Sequence, residues 1–346
     1  LTYIHDKDLG FNRTQMLVIK NTNLLCEQAK IFKQKIKQLP DVEDATMSTY
    51  LPTGTERNMT GLFPQLPIDI KQDVLSEFWS VDEDYLKTLN IQLTNGRNFS
   101  NQMASDSSAI IVNEAFVKKF GFKDALNKIV YRDSYGVQPY HIIGVVKDFN
   151  YSSLRDNIQP LALTYSADNG AVTARVKTTN LPALMQQIQN DWKDISANQQ
   201  FTYSFMNDDF DATYRSEQHV QQIFFSFSAL AILIACLGLF GLAAYAAEQR
   251  NKEIAIRKVI GASTANIINI LSTDFIKLVC ISILIASPIG WFAMNKWLED
   301  FAYRINIGWT VFLIAGLMAI AIALITISFQ SIKAAIANPV KSLRTE

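Results

Sequence analysis

The sequence predicts an α+β domain outside the membrane, followed by an all-α membrane domain of three transmembrane helices. Three observations carry this. The last third of the chain holds three uncharged runs, residues 223–247, 278–295 and 305–332. A charged segment, EQRNKEIAIRKVIGAS at residues 248–263, separates the first two runs. The first two thirds are more polar and pattern as alternating strands and helices.

The spans come first. At about 1.5 Å rise per residue, helices of this length match the roughly 30 Å hydrocarbon core of a bilayer. A buried core helix can be apolar for about ten to fourteen residues, but not three times at these lengths. The expected spans are about 223–247, 276–297 and 307–332, with a connector at 248–265.

Orientation follows from Lys and Arg in short loops. Residues 248–277 carry Arg250, Lys252, Arg257, Lys258 and Lys277, and the tail carries Lys333, Lys341 and Arg344. The loop between the second and third runs has only Lys296 and Arg304, offset by Glu299 and Asp300. The connector and the C-terminus are therefore expected in the cytoplasm, and residues 1–220 outside. Trp291, Trp297, Tyr303 and Trp309 fall near the outer ends of the later spans, where interfacial aromatics collect.

Composition narrows the function. Basic and acidic residues number 32 each, so no charge excess points to nucleic acid. Cys26, Cys236 and Cys280 make no disulfide framework, and His5, His141 and His219 lack metal-ligand spacing. Asp82, Asp84, Asp208, Asp209 and Asp211 lack the spacing and glycine of a calcium loop, and read as surface or helix-capping acids. No metal is expected. The chain starts at Leu1 with no signal peptide or span ahead of the outer portion, which suggests the C-terminal part of a longer protein.

Within the outer portion, residues 15–20 read as a strand. Residues 23–39 read as a helix with Leu25, Ala29, Phe32 and Ile36 on one face, and residues 42–49 as a second strand. The order recurs: strand 171–177, helix 181–195 with Leu184, Ile188 and Trp192 aligned, strand 201–206. The junctions IKNTNL and VKTTNL are alike, and in both Asn or Thr can cap the following helix. Two such units, about 15–50 and 171–206, predict a ferredoxin-like split βαβ domain. Between them lies an inserted α+β subdomain, about 54–163. It has buried strands at 109–113 and 141–147, a short helix 114–120 stopped by Gly121, and turns at Asn95-Gly96 and 133–136. It shows no phosphate loop, nucleophile–base pair or carboxylate pair in a recognisable context.

The connector reads as an amphipathic helix. Glu248 and Lys252 are i,i+4 partners, as are Glu253 and Arg257. Ile256, Val259 and Ile260 make an apolar edge, Gly261 is a natural stop, and Ser263 or Thr264 can cap the helix of the second span. Mixed charge beside an apolar edge suits a protein partner. Binding to anionic headgroups is the alternative, which its two glutamates disfavour. The three uncharged runs hold no Asp, Glu, Lys, Arg or His, which argues against an ion or proton path. Ala231, Ala235, Gly238 and Gly241 offer a small-residue surface for helix packing, and Pro288 with Gly290 can kink the second span.

The segment EQRNKEIAIRKVIGAS resembles the cytoplasmic segment of the FtsX-like permease family, the membrane subunits of type VII ABC transporters. Residues 81–100, 109–121 and 142–160 resemble a MacB-type periplasmic core domain, as do the approach 205–218 and the ending 338–346. Two departures stand out. The family begins this unit with a span that is not in this sequence, and Ala255 stands where Gly is common. Some members duplicate the unit to give eight spans, and residues 1–15 resemble the start of a second unit's periplasmic domain.

The resemblance implies a non-catalytic permease subunit with no cofactor of its own, ATP being bound by a partner. A cytosolic ATPase dimer would dock on Glu248, Arg250, Glu253, Arg257 and Lys258, with Gly261, Ala262 and Ser263 as the joint to the second span. Other implied partners are the lipid bilayer, a second permease half or a homo- or heterodimer, and a periplasmic or outer-membrane protein. The work outside would be efflux of peptide, antibiotic or lipid-linked cargo, or lipoprotein release. Activation of a cell-wall hydrolase by transmembrane signalling is the alternative. A membrane-anchored enzyme is disfavoured by the missing catalytic constellation.

Overall fold

The structure is a computed structural model that describes residues 7–54, 57–134, 136–154, 156–166, 170–196, 198–250, 253, 256–257, 260–261, 263–299 and 307–336. The chain divides into two compact units, Leu1–Ser216 and Glu217–Glu346.

The first unit begins with β1 (Met16–Lys20), a 3-10 turn over Thr22–Gln28, α1 (Ala29–Lys37) and β2 (Val42–Ser48). Its matching half comes late: β10 (Ala171–Val176), α4 (Leu181–Ile195) and β11 (Thr202–Phe205). These four strands pair in the order β11-β1-β10-β2, antiparallel throughout. Interleaving two units in this way puts both helices against one face. Leu17 and Ile19 of β1 and Val172 and Ala174 of β10 meet Phe32, Ile36, Ile188 and Trp192 there. Phe32 and Trp192 pack edge to face at 5.3 Å, a preferred ring geometry.

The two similar junctions fold differently. Asn180 caps α4 by accepting from the Ala183 N–H at 3.3 Å, and Pro182 suits the first turn. Asn21 instead sits in the left-handed region and makes no side-chain cap. The helix expected at 23–39 is broken at Cys26 (φ 49°), so regular α-helix starts only at Ala29. Leu25, Ala29, Phe32 and Ile36 are nonetheless all buried. The apolar face therefore survives the break, because burial rather than helical continuity decides which side chains point inward.

The insert contains β3 (Met59–Phe63), β4 (Val74–Val81), α2 (Tyr85–Leu89), β5 (Leu93–Gly96), β6 (Ala109–Asn113), α3 (Glu114–Phe120), β7 (Ile129–Asp133), β8 (Val137–Val146) and β9 (Leu161–Tyr165). Strands β4-β3-β7-β8-β6-β9 are hydrogen-bonded in that order, and β9 pairs back onto β4. Six strands thus form a closed ring, which removes free edges. Leu62, Ile110, Val112, Val130, Ile142 and Ala162 fill its core, and Phe116 of α3 joins them. Asn113 caps α3 by accepting from the Phe116 N–H at 2.9 Å, and left-handed Gly121 ends it.

Asn95-Gly96 is not the turn expected there. Both residues pair with β8 in the bulged strand β5, opposite Val145 and Gly144. Gly96 has φ +81°, and a side chain on it would collide with the Ile143 carbonyl. The glycine serves a close crossing of strands rather than a hairpin.

The second unit holds α6 (Arg215–Gln249), whose first residues belong to the outer unit, α7 (Thr264–Leu298) and α8 (Trp309–Ile336). The stretches Gln218–Gln249, Ser272–Leu298 and Trp309–Ser328 are long and apolar enough to cross a membrane. Ala243 of α6 packs with Ala323 and Ile327 of α8, and Leu239 of α6 with Phe275 and Val279 of α7 lie against them. Helix α7 runs through Pro288 and Gly290. Proline has no N–H to offer the Leu284 carbonyl, and beside it the Ser287 hydroxyl donates to the Ile283 carbonyl at 2.7 Å.

Candidate functional site

The connector begins where α6 stops. The Arg250 N–H makes a last helical bond to the Ala246 carbonyl at 3.2 Å. Glu253 and Arg257, one turn apart, form an ion pair at 2.6 Å with both side chains about half exposed. Ile256 and Ile260 also face out, and the Ile260 N–H bonds to the Ile256 carbonyl at 3.1 Å. Gly261 follows with φ +97°, a conformation that halts a helix at little cost only for glycine. Ser263 then caps α7, its hydroxyl accepting from the Asn266 N–H at 3.3 Å. Lys252, Lys258 and Ala262 lie outside the described residues, and Glu248 is exposed.

Arg250 behaves differently from its neighbours. Its guanidinium pairs with Asp274 of α7 at 3.3 Å, and Lys277 approaches the other Asp274 oxygen at 3.9 Å. Asp274 was not among the expected site residues. Nothing in local spacing links it to Arg250, because the two are brought together by the return of the chain through the connector. The arrangement leaves one ion pair and one apolar edge facing outward, above a second ion pair that joins the bases of α6 and α7. A surface of this kind can set register and specificity with a protein partner.

The small-residue stripe meets no helix of this chain among the described residues. Ala231 and Ala235 are exposed, and side-chain carbons on Gly238 or Gly241 would find open space. The intramolecular contacts use Leu239 and Ala243 instead. Elsewhere in this unit, the ring of Phe312 lies 3.8 Å from where a side chain on Gly290 would start.

The outer unit has no group of three His, Cys, Asp or Glu able to hold a metal among the described residues. It does hold a buried charge cluster. Lys33 of α1 pairs with Asp82 at 2.8 Å and with Asp84 at 2.7 Å. Lys37 pairs with Asp44 at 2.7 Å and Asp84 at 2.9 Å, and Lys87 reaches Asp44 at 2.7 Å. Asp82 also accepts from the Thr46 hydroxyl at 2.5 Å and the Met47 N–H at 2.8 Å. Burial opposes the Lys33 charge, yet Asp82 and Asp84 outweigh it and hold the ammonium above the usual lysine range. Burial likewise works against Asp44 and Asp84, but hydrogen bonds from the lysines keep both below the usual carboxylate range. Asp82 is therefore no surface acid: the cluster ties α1 and β2 to the exit of β4. Its balanced charges and internal partners make it structural.

Two family models match the chain. A family model described as MacB-like periplasmic core domain matches residues 14–191, and one described as FtsX-like permease C-terminal matches residues 225–339. The chain belongs to the FtsX-like permeases that carry a MacB-like periplasmic core domain. The macrolide export ATP-binding/permease protein MacB of Campylobacter jejuni is 23% identical over 277 residues, 74% of this chain and 42% of that protein. The probable syringafactin export ATP-binding/permease protein SyfD of Pseudomonas syringae is 21% identical over 208 residues, 56% of this chain and 31% of that protein. The chain thus spans less than half the length of these curated relatives. The periplasmic region of MacB from Actinobacillus actinomycetemcomitans aligns with a TM-score of 0.42 at 13% identity, covering 63% of this chain and 97% of that one.

Proposed function

We propose that this chain is the non-catalytic permease part of an ABC transporter, coupling ATP hydrolysis by a cytosolic partner to work outside the membrane. The observation that carries the reading is the connector. Between two helices of membrane-spanning length it presents the Glu253–Arg257 pair and the exposed edge of Ile256 and Ile260, in a segment matched by the FtsX-like family. Glu248, Arg257, Glu253 and Lys258 form the docking surface, while Arg250 is held back by Asp274. ATP stays with the partner, and this chain holds no cofactor.

The distribution of Lys and Arg supports an inner-membrane protein with residues 1–220 outside and the connector and C-terminus in the cytoplasm. The strand order β11-β1-β10-β2, with two helices on one face, supports a ferredoxin-like split βαβ half carrying the ring as an insert. The open stripe of Ala231, Ala235, Gly238 and Gly241 is the contact for a second permease half. Export of a peptide, antibiotic or lipid-linked cargo is favoured over hydrolase signalling, because the relatives bear export names.

The test is co-purification of the full-length permease with the ATPase encoded beside it, wild type against Arg257→Glu. Retention by the wild type and loss in the variant is expected. An ATPase that binds neither protein, under conditions preserving the fold, would overturn the reading.

A further inference from the structure

Helix α5 (Met206–Thr213) follows β11 directly, and only Tyr214 separates it from Arg215, where α6 begins. Met206, Phe210 and Tyr214 recur every four residues and all three are buried. The Arg13 guanidinium lies over the Phe210 ring, 3.9 Å from its centre. Asp209 accepts from the Ser204 hydroxyl at 2.6 Å and pairs with the Lys20 ammonium at 3.2 Å. The Tyr214 hydroxyl accepts from the Leu154 N–H at 3.0 Å, in a buried position.

These contacts reach both halves of the outer unit. Arg13 precedes β1, Lys20 ends it, and Ser204 lies in β11, all on the split βαβ side. Leu154 lies in the connection between β8 and β9 of the ring. From that connection a chain of bonds runs inward. The Tyr151 hydroxyl donates to the Gln159 carbonyl at 2.7 Å, and the Asn113 side-chain amide donates to the same oxygen at 3.0 Å. Asn113 in turn accepts from the N–H groups of Leu161 and Phe116. An eight-residue helix is too short to persist alone, so α5 exists only while it is gripped. Any displacement at Arg215 acts through a covalent bond on Tyr214. The Tyr214–Leu154 hydrogen bond is then a direct noncovalent step from that point into the ring.

We propose that α5 is the coupling latch of the outer domain, with Phe210 and Tyr214 as positioning residues that pass displacement at the start of α6 into the six-stranded ring. The proposal rests on the permease reading above.

The experiment uses the full-length permease reconstituted with its neighbouring ATPase. Hydrogen exchange is compared without nucleotide and with a non-hydrolysable ATP analogue, for wild type, Tyr214→Phe and Phe210→Ala. In wild type, nucleotide is expected to change exchange in both the connector, residues 248–263, and the ring, residues 57–165. In the variants the ATPase still co-purifies and the connector response persists, while the ring response is lost. A merely structural role would lower the melting temperature and leave the ring response in place, which overturns the proposal. Tyr214→Phe keeps the ring of the side chain and removes only the acceptor oxygen, so it decides the matter if Phe210→Ala fails to fold. A wild type whose connector responds and whose ring does not would sink the latch alone. If the ATPase binds nowhere and neither region responds, the permease reading falls and the latch with it.

Discussion

Lys33 with Asp82 and Glu253 with Arg257 are the same chemistry in two settings. The first pair has side chains about 5% and 7% exposed, and the second about 50% and 45%. In the outer domain the charges are enclosed and saturated by Thr46, Met47 and Asp84. In the connector the charges keep one another and face out, beside Ile256 and Ile260. A buried pair is dangerous to break and of little use for recognition, because each charge that loses its partner stays out of water. An exposed pair contributes little to stability and can be exchanged for a partner's charges. Burial thus sorts the charges of this chain into those that hold the outer domain and those left exposed for the docking proposed above.

The largest expected effect breaks the buried side. Lys33→Ala leaves Asp82 and Asp84 without their shared cation, at a cost of roughly 3–5 kcal/mol. Thermal unfolding of the outer domain should move down by many degrees. A variant that melts with wild type would show that water already reaches the cluster. Acid probes the same cluster more gently. Asp44 and Asp84 sit below the usual carboxylate range in the fold. Their contribution is therefore fully present above the unfolded value, about 3.9, and is lost as pH falls through the lower folded values. Lys33, held above the usual lysine range, contributes fully until pH rises past about 10. Burial holds Asp82 above the usual carboxylate range, which works the other way as pH falls, so denaturant melts should weaken only below about pH 4, where Asp44 and Asp84 lose their charges. A loss of stability between pH 7 and pH 5 would point to a different titrating group.

The connector should respond in the opposite sense. Reversing the pair by Glu253→Arg with Arg257→Glu keeps an i,i+4 attraction and should change stability by less than about 1 kcal/mol. Docking should still fail, because the partner meets reversed charges. Unchanged ATPase retention in the double variant would mean that the apolar edge alone does the docking.

The same contrast governs what the sequence could reveal. The end of α3 and the start of α4 were legible because Gly121 and Asn180 act locally, within a turn of the residues they cap. The apolar faces of α1 and α4 were legible from spacing, and the spans from length. The closure of the ring was not, since β4 meets β9 with Glu77 opposite Leu161, a pairing that no local pattern encodes. Asp82 was misread for the same reason. An acid after a strand looks solvated until a lysine from another helix is folded onto it. In the connector, residues 253 and 257 announced their pairing by spacing, whereas Asp274 stayed hidden until the chain turned back.

Asp274 gives the smallest and most discriminating prediction. Its pairs with Arg250 and Lys277 are exposed, so Asp274→Asn should cost no more than about 1 kcal/mol. The apolar cluster of Ala243 and Leu239 with Phe275 and Val279 still holds α6 near α7. What changes is Arg250, freed to join the outward charges of the connector. ATPase retention in Asp274→Asn should therefore become more sensitive to salt, as an added solvent-exposed cation enters the docking surface. Arg250→Gln should abolish that added sensitivity when combined with Asp274→Asn. Retention curves that coincide with wild type at every ionic strength would mean that Arg250 already serves the partner, and that Asp274 merely lies nearby.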